Sequence, residues 1–200
     1  SINISQAVND IITPSIILHN ASYGDAITIG EKFTLSTISL NTSSNIPLEN
    51  IKTVKLDPQS RTSNNLAKVL LKFHFKVEVE FTTNQDEQTD AIVLIGDRTF
   101  GKKEDYKFAY DMGEEWMKFT GLPFVYAAWV ANKEISLAFI EDFNAALKLG
   151  LAHRKQVLIE LPAVANFDLD DYFFNKLDFE LTEEKRKALN LFLSYIEKLK

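Results

Sequence analysis

Cysteine is absent from these 200 residues, so the chain holds no disulfide, no thiolate nucleophile and no cysteine-type zinc site. Histidine is almost as scarce. His19, His74 and His153 stand far apart and none belongs to a metal-spaced pair, which disfavours a metal enzyme. Long apolar runs are missing as well. Stretches such as 16–18 and 124–130 fall well short of the roughly 18 residues that read as a membrane span. Residues 1–30 show no basic start leading into a long apolar core. Basic excess is also lacking: the net charge is −6, the pI is near 5.2, and lysines and arginines are dispersed. A phosphate-backbone footprint is therefore absent. These absences predict a soluble, cytoplasmic protein with neither nucleic acid nor membrane as partner. The negative balance also means that an anionic ligand must be held by local donors, because the long-range field repels it.

What is present is enough apolar material, 46% hydrophobic and 12% aromatic, for one sizeable core or two small lobes. Short β-branched runs alternate with runs of helical period, the pattern of an α/β fold. The strand candidates are 10–13, 26–29, 34–40, 52–56, 76–81, 91–95 and 123–128. Residues 91–95 are apolar throughout, as suits a central parallel strand covered on both faces. The helix candidates are 62–73, 111–120, 136–161, 169–177 and 182–200. Asp111-Met-Gly-Glu114 reads as an Asp form of the capping box, with Gly121 and Pro123 as the stop. The last helix predicts a packing stripe of Leu189, Phe192, Leu193, Ile196 and Leu199. No Gly/Ser/Pro linker divides the chain, and the best breaks are 41–47 and 120–123. If the chain crosses between lobes at both, residues 1–42 and 122–200 form a first lobe, 43–121 a second, and a ligand cleft lies between them. No motif sets the oligomeric state.

Two stretches carry chemistry. Between the 52–56 run and the helical period of Leu66, Val69, Leu70 and Phe73 lies Ser60-Arg61-Thr62-Ser63. A helix starting near Thr62 or Ser63 aims unpaired N–H groups and the positive end of its dipole forward, with the Ser60, Thr62 and Ser63 hydroxyls beside them. Ser and Thr are also ordinary N-caps, yet three hydroxyls and an arginine in four residues exceed what one cap requires. The second stretch is Gly96-Asp97-Arg98 at the carboxyl end of the apolar run, where ligands sit in open α/β sheets. Gly96 lets the backbone approach a ligand and Asp97 supplies a polar group; a simple turn with Asp97 as a cap is the competing reading.

Taken in order, Ser60-Arg-Thr-Ser63, Ala91-Ile-Val-Leu-Ile-Gly-Asp97, Asp111-Met-Gly-Glu-Glu-Trp116 and Thr120-Gly-Leu-Pro-Phe-Val-Tyr-Ala-Ala-Trp129 resemble the chorismate dehydratases of the futalosine route to menaquinone. The resemblance runs from about Pro47 to the C-terminus and more weakly back to Asp10. It implies a two-lobed fold like the type II periplasmic binding proteins, in an intracellular enzyme without metal or organic cofactor. It implies a small dicarboxylate substrate, chorismate, which loses water to give 3-[(1-carboxyvinyl)oxy]benzoate. Thr62 and Ser63, supplemented by Ser60, would then hold a carboxylate. Asp97 would act as general base or orient substrate, beside Gly96. Thr13 and Ser15, in Asn9-Asp-Ile-Ile-Thr-Pro-Ser15, resemble the family's turn lining the cleft. The family's N-terminal strand and helix have no counterpart here, so the resemblance implies an incomplete first lobe. The dihydroxynaphthoate synthases are similar, but they carry a histidine after the Leu-Ile strand, where this chain has Gly96-Asp97. From another class, a non-catalytic binding module for an aromatic or carboxylic molecule also fits.

Overall fold

In a computed structural model, residues 23–29, 38–42, 46–95, 99, 105–131, 134–160 and 168–200 are described. Two sheets organise them. The larger has five strands in the order β4-β3-β5-β2-β6, formed by β2 (Ile38–Thr42), β3 (Thr53–Lys55), β4 (Glu80–Thr82), β5 (Ala91–Ile95) and β6 (Ala109–Asp111). The strands β4, β3 and β5 run parallel, with Val54 level with Phe81 and Ala91. β2 then joins β5 antiparallel, Ile38 opposite Ile95, and β6 joins β2 antiparallel, Asp111 opposite Ser39. The apolar strand 91–95 is thus central as expected, but parallel to a neighbour on one side only. The smaller sheet is antiparallel, with β1 (Tyr23–Ile29) between β7 (Val125–Val130) and β8 (Leu177–Asp178). β2, placed by the sequence reading with residues 1–42, hydrogen-bonds into the sheet built from 53–111.

Helix α1 (Arg61–Val69) continues into a π-helical stretch, Leu70–Phe75, and ends at Lys76 with φ 58°. Its buried face of Leu66, Ala67, Val69, Leu70 and Leu71 meets the β3–β5 side chains Val54, Ala91 and Val93 in the main core. Each large aliphatic so enclosed contributes about 1.5–3 kcal/mol. The expected strand 76–81 forms a ladder only over 80–82. Phe75, Val77 and Val79 still alternate inward against the core, but the π turns consume the chain that would have reached β4 earlier. The helix α2 (Met112–Thr120) is capped by Asp111, which accepts from Gly113 N at 2.9 Å and Glu114 N at 3.0 Å, and it stops at Gly121 with φ 72°. That left-handed turn is where glycine's freedom is needed.

The predicted helix 136–161 is two helices, α3 (Leu137–Ala152) and α4 (Arg154–Glu160). The break at His153 follows Gly150, a weak helix former, and the His153 ring nitrogen bonds Leu149 O at 2.8 Å. A short α5 (Leu169–Asp171) and a further π turn lead to β8. Helix α6 (Glu183–Glu197) is capped by Thr182; Phe192, Ile196 and Leu199 of the expected stripe pack on the core, joined by Leu191 and Tyr195 and the buried Ala188 in place of Leu189 and Leu193. Its inward face is rotated from the expected stripe because the fully buried Trp116 of α2 draws in Phe192 and Tyr195, together with Phe119 and Phe124, edge-on at 5.4–6.3 Å. At the start of α6 the buried Lys185 reaches Asp178 at 2.6 Å and the Glu180 carbonyl, tying α6 to β8. Among the described residues no helix is long and apolar enough to cross a membrane.

Candidate functional site

The parallel pair β3 and β5 sets the edge of the sheet from which the chain enters α1. β3 ends at Lys55, level with Ile92, and the chain then turns through Leu56–Ser60 into α1. β5 ends at Ile95 on the same edge. Gly96 and Asp97 follow Ile95 in sequence but lie outside the described residues, as do Thr13 and Ser15. Of the predicted site residues, Ser60, Thr62 and Ser63 can be placed.

Helix α1 begins at Arg61, one residue before the expected start, with Ser60 as its N-cap. Ser60 Oγ accepts from Ser63 N at 3.1 Å and shares a 2.6 Å hydrogen bond with Ser63 Oγ. Ser63 is only 2% exposed, so its hydroxyl is committed inward. Thr62 is half-buried and Arg61 is exposed; neither side chain is hydrogen-bonded among the described residues. The cluster therefore divides into two roles. Ser60 and Ser63 fix the helix start, and Thr62 and Arg61 face outward beside the first N–H groups.

Two residues that the sequence reading passed over set the angle of that start. Asp57 N donates to Asn64 Oδ1 at 3.0 Å, and Asn64 Nδ2 returns a 2.7 Å bond to Asp57 O. Asp57 Oδ1 also accepts from Gln59 N at 2.8 Å. A reciprocal amide clamp across seven residues has no sequence signal beyond the Asn64-Asn65 pair in the first turns of a helix.

The start of α2 provides the contrast. β6 runs in the same direction as β5, so α2 also departs from that edge of the sheet. Its first N–H groups are taken by Asp111, and Glu114 and Glu115 add negative charge to its first turn. The first turn of α1 holds no acid and carries Arg61. A helix dipole favours acids at its N-terminus, so of the two starts only α1 has electrostatics open to an anion.

A second polar cluster lies about 20 Å along the helix from Ser60, as the rise per residue dictates. His74 Nε2 meets Glu115 Oε2 at 3.1 Å, and Lys118 binds Glu115 Oε1 and Glu114 at 2.9 Å each. The hydrogen bonds it donates to Glu114 and then to Glu115 hold the Lys118 ammonium well above the ordinary lysine range. With rings of Phe75 and Phe119 against His74, this cluster ties the π stretch to α2. The aromatics after Thr120 are packed side chains. Phe124 is buried, Tyr126 packs on the core, and Trp129 stands edge-on to Phe143 at 5.3 Å.

A family model described as menaquinone biosynthesis matches residues 35–198. Among solved structures, protein AF1704 from Archaeoglobus fulgidus, a structural genomics target, superimposes with a TM-score of 0.58 at 16% identity. The match covers 89% of this chain and 71% of that one, a likeness of fold.

Proposed function

Because the chain belongs to the menaquinone biosynthesis family, we propose that it is the member that dehydrates chorismate to 3-[(1-carboxyvinyl)oxy]benzoate. The observation that carries this reading is the Ser60-Arg61-Thr62-Ser63 start of α1, opening without an acid at the carboxyl edge of the parallel pair β3 and β5. Chorismate is a dicarboxylate. Thr62 Oγ1 and the first N–H groups of α1 hold one carboxylate, with Arg61 adding charge. Ser60 and Ser63 keep those donors aimed, and the clamp between Asp57 and Asn64 fixes the turn that carries them.

The reaction removes a ring proton and the neighbouring hydroxyl as water, leaving an aromatic ring. Aromatisation makes it downhill, so orientation is the main requirement and positioning supplies much of the acceleration. Asp97, two residues beyond Ile95, is the proposed base, with Gly96 allowing close backbone approach. Thr13 and Ser15 are proposed to line the same cleft between two lobes, in the manner of type II periplasmic binding proteins, with β2 belonging to the lobe of 43–121 whose sheet it joins. The activity is placed in the cytoplasm, and the route is the futalosine one.

The test is incubation of the folded chain with chorismate, followed by chromatography with mass detection. Carboxyvinyloxybenzoate above the uncatalysed control, lost in Asp97→Asn, is the expected result. Tight binding of chorismate that is returned unchanged would refute the enzyme and leave a binding module.

A further inference from the structure

Chorismate carries two carboxylates, and the start of α1 accounts for one. Two cations adjoin the turn Leu56–Ser60: Arg61, where the chain leaves it for α1, and Lys55, where β3 enters it. Lys55 is half-buried and pairs with no acid among the described residues. In this it differs from Lys118 and Lys185, whose ammoniums are spent on carboxylates. Successive strand side chains point to opposite faces. Val54 is fully buried in the core beneath α1, so Lys55 stands on the other face of β3, at the same carboxyl edge.

A loop keeps the ammonium at that edge. Lys55 Nζ donates to Gln85 O at 2.8 Å, and Gln85 Nε2 reaches back to Leu56 O at 3.3 Å. Gln85 Nε2 also bonds Thr83 O at 2.9 Å, and Leu56 N bonds Thr82 O at 2.8 Å, so the start of the loop is closed onto the end of β3. One carbonyl uses one of an ammonium's three donors and leaves the others for a ligand. The loop's acids, Asp86 and Glu87, are exposed and form no ion pair among the described residues; Glu87 takes the Thr82 hydroxyl at 2.6 Å instead. The end of β3 thus has positive groups on both faces, the first N–H groups of α1 with Thr62 and Arg61 on one and the Lys55 ammonium on the other. Resting on the dehydratase reading, we propose that Lys55 takes the second carboxylate of chorismate and so makes the site selective for dicarboxylates.

Calorimetric titration with chorismate and two monocarboxylates reads the assignment. 3-Hydroxybenzoate keeps a carboxylate on the ring, and phenoxyacetate keeps one on a side chain. Lys55→Met retains the stem and should weaken chorismate by about tenfold. It should also weaken one monocarboxylate and leave the other within about twofold, while Thr62→Ala does the reverse. Lys55→Arg keeps the charge and a donor for Gln85 O, and should hold chorismate within about threefold of wild type. Lys52→Met, which removes an exposed charge ahead of β3, should change none of the three affinities. The proposal is overturned if Lys55→Met spares chorismate, if it weakens both monocarboxylates alike, the mark of a loosened turn, or if its pattern matches that of Thr62→Ala. A wild type that holds chorismate without converting it refutes the dehydration alone, and the crossed pattern still decides Lys55. A wild type that binds no chorismate overturns both.

Discussion

Replacing Thr62 and Ser60 by alanine, one at a time, separates ligand binding from capping at the start of α1. Thr62 is half-buried and makes no hydrogen bond among the described residues, so its loss removes nothing that holds the fold. Alanine is also the better helix former, and the stability of Thr62→Ala should stay within about 0.5 kcal/mol of wild type. If Thr62 Oγ1 donates to a substrate carboxylate, a charge-assisted bond worth about 2 kcal/mol disappears, a roughly thirtyfold weaker affinity. Ser60→Ala should do the reverse. It removes the cap, about 1 kcal/mol, and it orphans the N–H and hydroxyl of Ser63, which is buried, for about 1–2 kcal/mol more. Stability should fall by about 2–3 kcal/mol and chorismate affinity by less than in Thr62→Ala. Urea unfolding followed by circular dichroism gives one axis and calorimetric titration with chorismate the other. Refutation would be a Thr62→Ala variant that binds as wild type does while losing as much stability as Ser60→Ala.

Trp116→Ala should cost about 4 kcal/mol in urea unfolding, because the ring is fully enclosed by Phe119, Phe124, Phe192 and Tyr195. Trp116→Phe should cost less than half of that, since the indole N–H it discards is buried without a partner among the described residues. Asp178 supplies a pH dependence. Burial pushes its carboxyl up, but the Glu180 N–H and then Lys185 outweigh this and hold it below the ordinary 3.8. A carboxyl lowered on folding stabilises above its unfolded value, and that contribution is lost as pH falls through the folded value. Asp178→Asn should therefore be less stable than wild type at neutral pH, with the gap closing below about pH 4 in acid titrations of stability.

The sequence made the caps and the periods legible. Asp111 and Gly121 bound α2 as expected because capping and left-handed stops are decided within a few residues. Even there the capping box is half-formed, since the side chain of Glu114 goes to Lys118. The strands β6 and β8, of three and two residues, escaped notice because so short a ladder has no period to read. The π stretch was hidden for a related reason: Leu70, Phe73 and Phe75 satisfy a helical pattern and a strand pattern in turn, and tertiary packing chose the boundary. At the site, residue types announced the hydroxyl cluster but not its division of labour. That depends on which hydroxyl is enclosed, a matter of how α1 sits on β3. The partnership of His74 with Glu115, 41 residues apart, is likewise set by the meeting of two helices and by nothing local.

The two sheets differ in how much chain must exist before each can close. Every strand of the five-stranded sheet lies between Ile38 and Asp111, so its ladders can form once that span has left the ribosome. In the three-stranded sheet, Thr28 pairs with Val125 on one side and with Asp178 on the other. Closing those loops means restraining spans of roughly a hundred residues or more, an entropic cost met only by late contacts. During synthesis β1 is made before either of its partners, and its edge toward β8 stays unpaired until Asp178 has emerged. The interval in which the nascent protein is most open to misassociation is thus set by the position of one strand, and mutations that weaken β8 should lower yield in cells before they lower the stability of the finished molecule.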